Sequence, residues 1–162
     1  MIRTLLEPPV LTVDVDGPAS MVEGAAVQEL AREHVAAGAR SLRIDLRACT
    51  AMDSTFSGTL LSLERLLAPL GGTLTLVSPS PKVVEVLRQM GLEDFYAIDV
   101  AERAVGAWRD VIAAHPAVDT LRRVVLDSHD ELARIPGPAS DTFREVAREL
   151  HRTEPDRPSV PH

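Results

Sequence analysis

The sequence predicts an α/β fold: a mixed, mainly parallel sheet with helices mainly on one face, followed by a C-terminal helical hairpin extension. Three observations predict it. Stretches of period-two alternation are separated by stretches of three-four apolar spacing, the pattern of strands joined by crossover helices, and such connections pair strands in parallel. The strand patterns keep a polar row, at Thr12/Asp14, Arg43/Asp45 and Thr73/Thr75, whereas strands covered on both faces read as continuous apolar runs. A chain of 162 residues with 45% hydrophobic content also suffices for one main domain with its own core, without disulfides or metal.

The elements follow in order. Leu11, Val13 and Val15 alternate with Thr12, Asp14 and Asp16, giving a strand over 10–16 that Gly17-Pro18 ends. Residues 23–37 are rich in Ala, Leu, Gln, Glu and Arg, place Val27, Leu30, Ala31 and Val35 on one side, and stop at Gly38. A second strand over 41–46 puts Leu42, Ile44 and Leu46 on one face, with Arg43 and Asp45 on a solvated one. The helix over 54–67 carries the stripe Phe56, Leu60, Leu63, Leu67. Pro69 and Gly71-Gly72 turn the chain into a strand over 73–77, and Ser80-Pro81 opens a helix with Val83, Val84, Leu87 and Met90 inward, closed by Gly91. A short strand is expected over 96–98.

Three more helical patterns come next, over 102–114, 118–135 and 141–151. The last two carry the stripes Leu121, Val125, Leu132, Ile135 and Phe143, Val146, Ala147, Leu150, with Pro136-Gly137-Pro138 breaking the chain between them. Thr142 and Glu145 have capping-box spacing. The expected division is a main domain over 1–115, a helical hairpin over 116–152, and a disordered tail over 153–162, where Thr153-Glu154-Pro155-Asp156-Arg157-Pro158 lacks apolar residues.

Composition removes several function classes. A formal net charge of -7 argues against nucleic acid and anionic membranes, which select clustered Lys and Arg. Cys49 is the only cysteine, which leaves no intrachain disulfide or cysteine zinc site and makes it buried filler, and the histidines His34, His115, His129, His151 and His162 lack metal-ligand spacing. No cofactor is implied. The N-terminal apolar run is too short for a signal peptide and no stretch approaches a membrane span, so a cytoplasmic protein is expected.

No enzyme constellation emerges, since a nucleophile with its base, paired carboxylates and a metal cluster are all missing from the spacing. Asp127-Ser128-His129-Asp130 resembles a triad only as letters, because consecutive helical residues point in different directions, and helix surface is the reading it receives. Gly71-Gly72 is a turn without a phosphate-loop pattern.

The chemistry concentrates at Met52-Asp53-Ser54-Thr55-Phe56-Ser57-Gly58, where a loop opens a helix. The first amides of a helix have no intrahelical acceptor and carry partial positive charge, so they favour an oxygen cap or an anion. Ser54 is therefore a cap or a phosphoacceptor, and the residues alone leave both open. Asp53 is a turn residue or a presenter of Ser54. Thr55 and Ser57 are alternate hydroxyls, with Ser57 on the helix surface.

Leu42-Arg-Ile-Asp-Leu46, then Met52-Asp-Ser-Thr-Phe-Ser-Gly58, then Gly71-Gly-Thr-Leu-Thr-Leu-Val77 resemble, in this order, the STAS family and in particular bacterial anti-sigma factor antagonists. Ser80 to Leu92 looks like that family's third helix, and the pattern covers roughly Val10 to Val100. The resemblance implies a STAS-like fold and a non-enzymatic protein that binds an anti-sigma serine kinase, which phosphorylates the serine after the aspartate, by position Ser54. It implies a partner surface at Asp53, Ser54, Thr55, Phe56 and Ser57. Family members often continue Asp-Ser with Ser-Gly-Leu-Gly, whereas Phe56 here replaces a small residue. A constitutive scaffold subunit of a signalling or lipid-transport assembly is the alternative, a nucleotide-binding regulator a weaker one, and a homodimer through the polar sheet face a further expectation.

Overall fold

A computed structural model describes residues 1–111, 116–137 and 139–153. The chain enters as strand β1 (Ile2–Glu7), turns at a cis Pro8–Pro9 bond and returns as β2 (Val10–Val15). β3 (Gly17–Ala19) leads to α1 (Met21–Ala36), then β4 (Ser41–Asp45), β5 (Cys49–Met52) and α2 (Ser54–Leu67). After a short 3-10 turn at Ala68–Leu70 come β6 (Thr73–Val77), α3 (Pro81–Gln89), β7 (Ala97–Asp99), β8 (Arg109–Val111), α4 (Val118–Arg134) and α5 (Ser140–Arg152).

The main sheet has the order β7-β6-β4-β2-β1-β8. The four strands from β7 to β2 are mutually parallel, and β1 runs antiparallel to both its neighbours. Register puts Val13, Ile44 and Leu76 in one row, and these side chains form the centre of a core that α1, α2 and α3 complete with Val27, Phe56, Leu60, Leu63, Val83 and Leu87. The fold is the α/β arrangement expected, with the two-helix extension present.

Several expectations are corrected. Strand β1 is an addition to the expected elements, because Ile2-Arg3-Thr4-Leu5-Leu6-Glu7 breaks clean alternation. Its side chains nonetheless alternate between the two faces, with Ile2 and Leu5 buried on opposite sides. The helix expected over 102–114 does not form in its described part. Residues Ala101 to Trp108 instead cross the polar sheet face, and β8 pairs with the outer edge of β1, an edge that would otherwise offer an unpaired row of amides and carbonyls.

Thr12, Asp14 and Asp45 of the polar row are buried, whereas Arg43 and Thr75 are half-buried and Thr73 is exposed. Asp14, a member of that row, is fully enclosed and receives Arg103 Nη2 at 2.9 Å and Arg3 Nε at 3.0 Å. The Arg3 guanidinium lies 5.7 Å from the Trp108 ring centroid, a cation–π contact. Asp45, expected on a solvated face, is also buried and accepts from the Arg47 amide at 3.1 Å and from Arg47 Nε at 2.9 Å, while Arg43 donates to Asp99. Bonding to Asp45 raises the Arg47 pKa above its ordinary value. Val84 is exposed rather than inward, and α5 starts at an Ala139 cap with no side-chain bond, so the Thr142/Glu145 capping box does not form. Of the tail expected to be disordered, residues 154–162 lie outside the described residues.

Candidate functional site at the start of the second crossover helix

β3 and β5 pair in parallel beyond the ends of β2 and β4, and this small second sheet delivers the chain to the starts of α1 and α2. The amide of Asp53 donates to Ala19 O at 3.1 Å, which holds the two starts side by side. α1 opens with a capping box between Ser20 and Glu23.

At α2 the cap is Asp53, not Ser54. Asp53 has extended backbone, and its Oδ1 accepts from the Phe56 amide at 2.8 Å. Ser54 is the first helical residue, half-buried, and its hydroxyl is left out of the cap. This resolves one alternative left open by the sequence, since the capping oxygen comes from the carboxylate.

The rest of the expected surface is inside. Every residue from Thr55 to Leu61 is buried. Phe56 is fully enclosed in the core, and Ser57, expected on the helix surface, is enclosed too, with Oγ donating to Asp53 O at 2.9 Å. Thr55, Phe56 and Ser57 therefore offer no surface to a partner in this arrangement, and Phe56 acts by packing; among the first-turn residues singled out, only Asp53 and Ser54 keep exposure.

The reason is α4. Its backbone lies against α2 so closely that a Cβ built on Gly58 would collide with Ser128 O, far inside van der Waals contact, so only glycine fits. Thr59 Oγ1 and Ser128 Oγ lie 3.3 Å apart, and Arg65 pairs with Glu131 at 2.8 Å. These contacts bury Ser128 and His129, expected on the helix surface, against α2, while Asp127 and Asp130 stay half-buried and Asp130 accepts from His151 of α5.

His129 is the residue that sequence reasoning missed. Its Nδ1 lies 2.8 Å from Val125 O, and a carbonyl only accepts, so Nδ1 carries a proton. Ser54 Oγ lies 3.4 Å from Nε2 of the same ring. The ring meets Phe143 of α5 edge-on, with centroids 6.5 Å apart. No local signal marks this pairing, because its members stand 75 residues apart in sequence.

Cys49 is buried, with its thiol pushed up by that burial. Among the described residues, no group of His, Cys, Asp and Glu is arranged to hold a metal ion, and no helix is long and apolar enough to cross a membrane.

A family model described as Mlab, STAS domain matches residues 4–100. No curated protein matches the sequence significantly. Among solved structures, the anti-sigma factor antagonist SpoIIAA in its unphosphorylated form superposes with a TM-score of 0.56 at 17% identity, over 62% of this chain and 89% of that one. The Bacillus cell fate determinant SpoIIAA in its phosphorylated form gives 0.52 at 16% identity, over 62% and 92%. An anti-sigma factor antagonist from Mycobacterium paratuberculosis gives 0.53 at 20% identity, over 77% and 92%.

Proposed function

Because the chain belongs to the STAS domain family, we propose that it is an anti-sigma factor antagonist: a cytoplasmic, non-enzymatic protein that binds an anti-sigma serine kinase while Ser54 is unmodified and lets it go once Ser54 is phosphorylated. The observation that carries this reading is the division of labour at α2, where Asp53 caps the helix and leaves the Ser54 hydroxyl out of the cap, half-buried beside His129. The likeness to structures of an antagonist in both unphosphorylated and phosphorylated forms supports it.

In the modifying step, Ser54 Oγ attacks the γ-phosphorus of a nucleoside triphosphate held by the kinase. The Oγ–P bond forms, the bond to the β-phosphate oxygen breaks, the hydroxyl proton passes to a base of the kinase, and the nucleoside diphosphate leaves. The product carries about -1.5 to -2 charges at the positive end of α2. The helix tolerates that charge, because its first amides favour an anion. A partner surface fitted to a neutral hydroxyl does not, since the phosphate must be desolvated there without compensation.

The test is Ser54 phosphate in cells by mass spectrometry, paired with capture of partners from native lysate on wild-type and Ser54→Asp protein. Ser54 phosphate and loss of a kinase partner with Ser54→Asp are expected. Unmodified Ser54, together with equal binding by Ser54→Asp, sinks the reading.

A further inference from the structure

We propose that the cleft between α1 and α4 binds a small organic carboxylate with an apolar body, held through the Gln28 amide and the guanidinium groups of Arg32 and Arg123. Neither Ser54 nor a partner protein enters this inference, so it stands or falls apart from the functional reading.

The cleft has a volume of about 590 Å³, the size of a small-molecule site. α1 and α4 form two of its walls, with Ala25, Ala26 and Leu30 on one and Ala117 and Val124 on the other giving an apolar lining. Gln28 and Arg32 stand one helical turn apart on α1, and Thr120 and Arg123 line the cleft from α4. The α4 wall lies beyond residue 100, where the family model ends.

Gln28 carries the argument. It is 2% exposed, and its Nε2 has no hydrogen-bond partner, which is costly for a buried amide. In the smaller hollow that Gln28 also lines, between α1 and α2, the Ser62 hydroxyl donates to Gly58 O instead. Among the described residues the amide oxygen of Gln28 makes no hydrogen bond either. The half-turn that exchanges the two ends of the amide therefore breaks nothing, and it can present an N–H to the cleft.

The charges select the ligand. Arg32 and Arg123 are exposed and, among the described residues, form no hydrogen bond or ion pair. Both lie near enough to Asp127 to oppose the rise that burial causes in its pKa, so guanidinium groups from two different helices converge there. Glu29 and Glu33 also line the cleft. Two acids beside two arginines leave no excess positive charge for a phosphate dianion, whereas a singly charged carboxylate is satisfied by one guanidinium fork and a neutral N–H. The apolar lining then takes the body of the molecule.

The probe is octanoate, titrated into full-length protein and followed by amide shifts in nuclear magnetic resonance spectra. Saturable binding is expected, with the largest shifts in the Gln28 side-chain amide and in the backbone over 117–124. Octanol, which has the same body without the charge, should bind at least about tenfold more weakly, the loss of charge-assisted hydrogen bonds. The double variant Arg32→Ala, Arg123→Ala should weaken octanoate by a similar factor. Gln28→Leu should weaken it too, yet leave the thermal midpoint of the free protein unchanged or raised, because it replaces an unpaired buried amide by an apolar side chain of similar size. No saturation at millimolar octanoate, shifts confined to other surfaces, or octanol binding as tightly as octanoate overturns the proposal. A lowered midpoint in Gln28→Leu overturns it as well, since it shows that the amide is already satisfied within the fold, for instance by an enclosed water.

Discussion

Two helices of this molecule start alike and are used differently. α2 and α3 each follow a strand of a parallel pair, each has a serine at its start, and each buries an apolar residue three positions after its cap, Phe56 in one and Val83 in the other. At α3 the serine is the cap: Ser80 Oγ accepts from the Val83 amide at 3.4 Å and donates to Cys49 O at 2.8 Å, so its hydroxyl is spent on structure. At α2 an aspartate one residue earlier takes the cap, and among the described residues the serine hydroxyl meets a histidine from a distant helix. The difference teaches that a serine at a helix start gains a separate role when a neighbour relieves it of capping.

Substitutions can break or sharpen that contrast. The largest effect is expected at the buried third positions. Phe56→Ala removes a fully enclosed ring and is expected to cost about 3–5 kcal/mol in urea denaturation, more than Val83→Ala, whose side chain is smaller. Parity between the two would show that the α2 start does not anchor the core. The caps come next. Asp53→Ala and Ser80→Ala should each cost about 1 kcal/mol, whereas Ser54→Ala should stay within about 0.5 kcal/mol. A Ser54→Ala loss equal to that of Ser80→Ala would return Ser54 to the capping role.

The smallest effect concerns the helix that covers α2. Burial, opposed by Arg32 and Arg123 and assisted by Asp130, raises the Asp127 carboxyl above its ordinary pKa. A raised folded-state value means that the folded protein prefers the protonated acid. Its favourable contribution is complete below the unfolded pKa and is lost as pH rises through the folded one. Asp127→Asn should therefore raise the thermal midpoint slightly at neutral pH, with the gain shrinking towards pH 4, as thermal scans across that range would read. A gain that grew on acidification would contradict the burial of Asp127.

Much of the fold was legible in the sequence, and the reasons are local. Leu42, Ile44 and Leu46 alternate because a strand has a two-residue side-chain period, and Phe56, Leu60, Leu63 and Leu67 line up because a helix has a period of 3.6. Gly38 ends the first helix and carries a φ of 107° just beyond it, a left-handed backbone that other residues avoid. The helix expected over 102–114 failed for a reason that is not local. Alanine-rich sequence favours a helix, but Arg103 is drawn to the buried carboxylate of Asp14 and residues 109–111 to the open edge of β1, and tertiary context overrides propensity.

The candidate site divides in the same way. By itself the sequence determined the strand over 41–46, the helix start at Asp53-Ser54, the apolar stripe that turns Phe56 inward, and two amphipathic helices at the C-terminal end, while the short strand β5 stands where a loop was expected. Those properties reside in periodicity and in residue types within a few positions of one another. Only the tertiary structure decided that Asp53 is the cap, that α2 is buried on a second flank, and that His129 stands over Ser54. A period encodes one buried face, and α4 supplies the other through a backbone contact at Gly58. Packing between segments some seventy residues apart is set by the shape of the assembled core, and no local pattern records it.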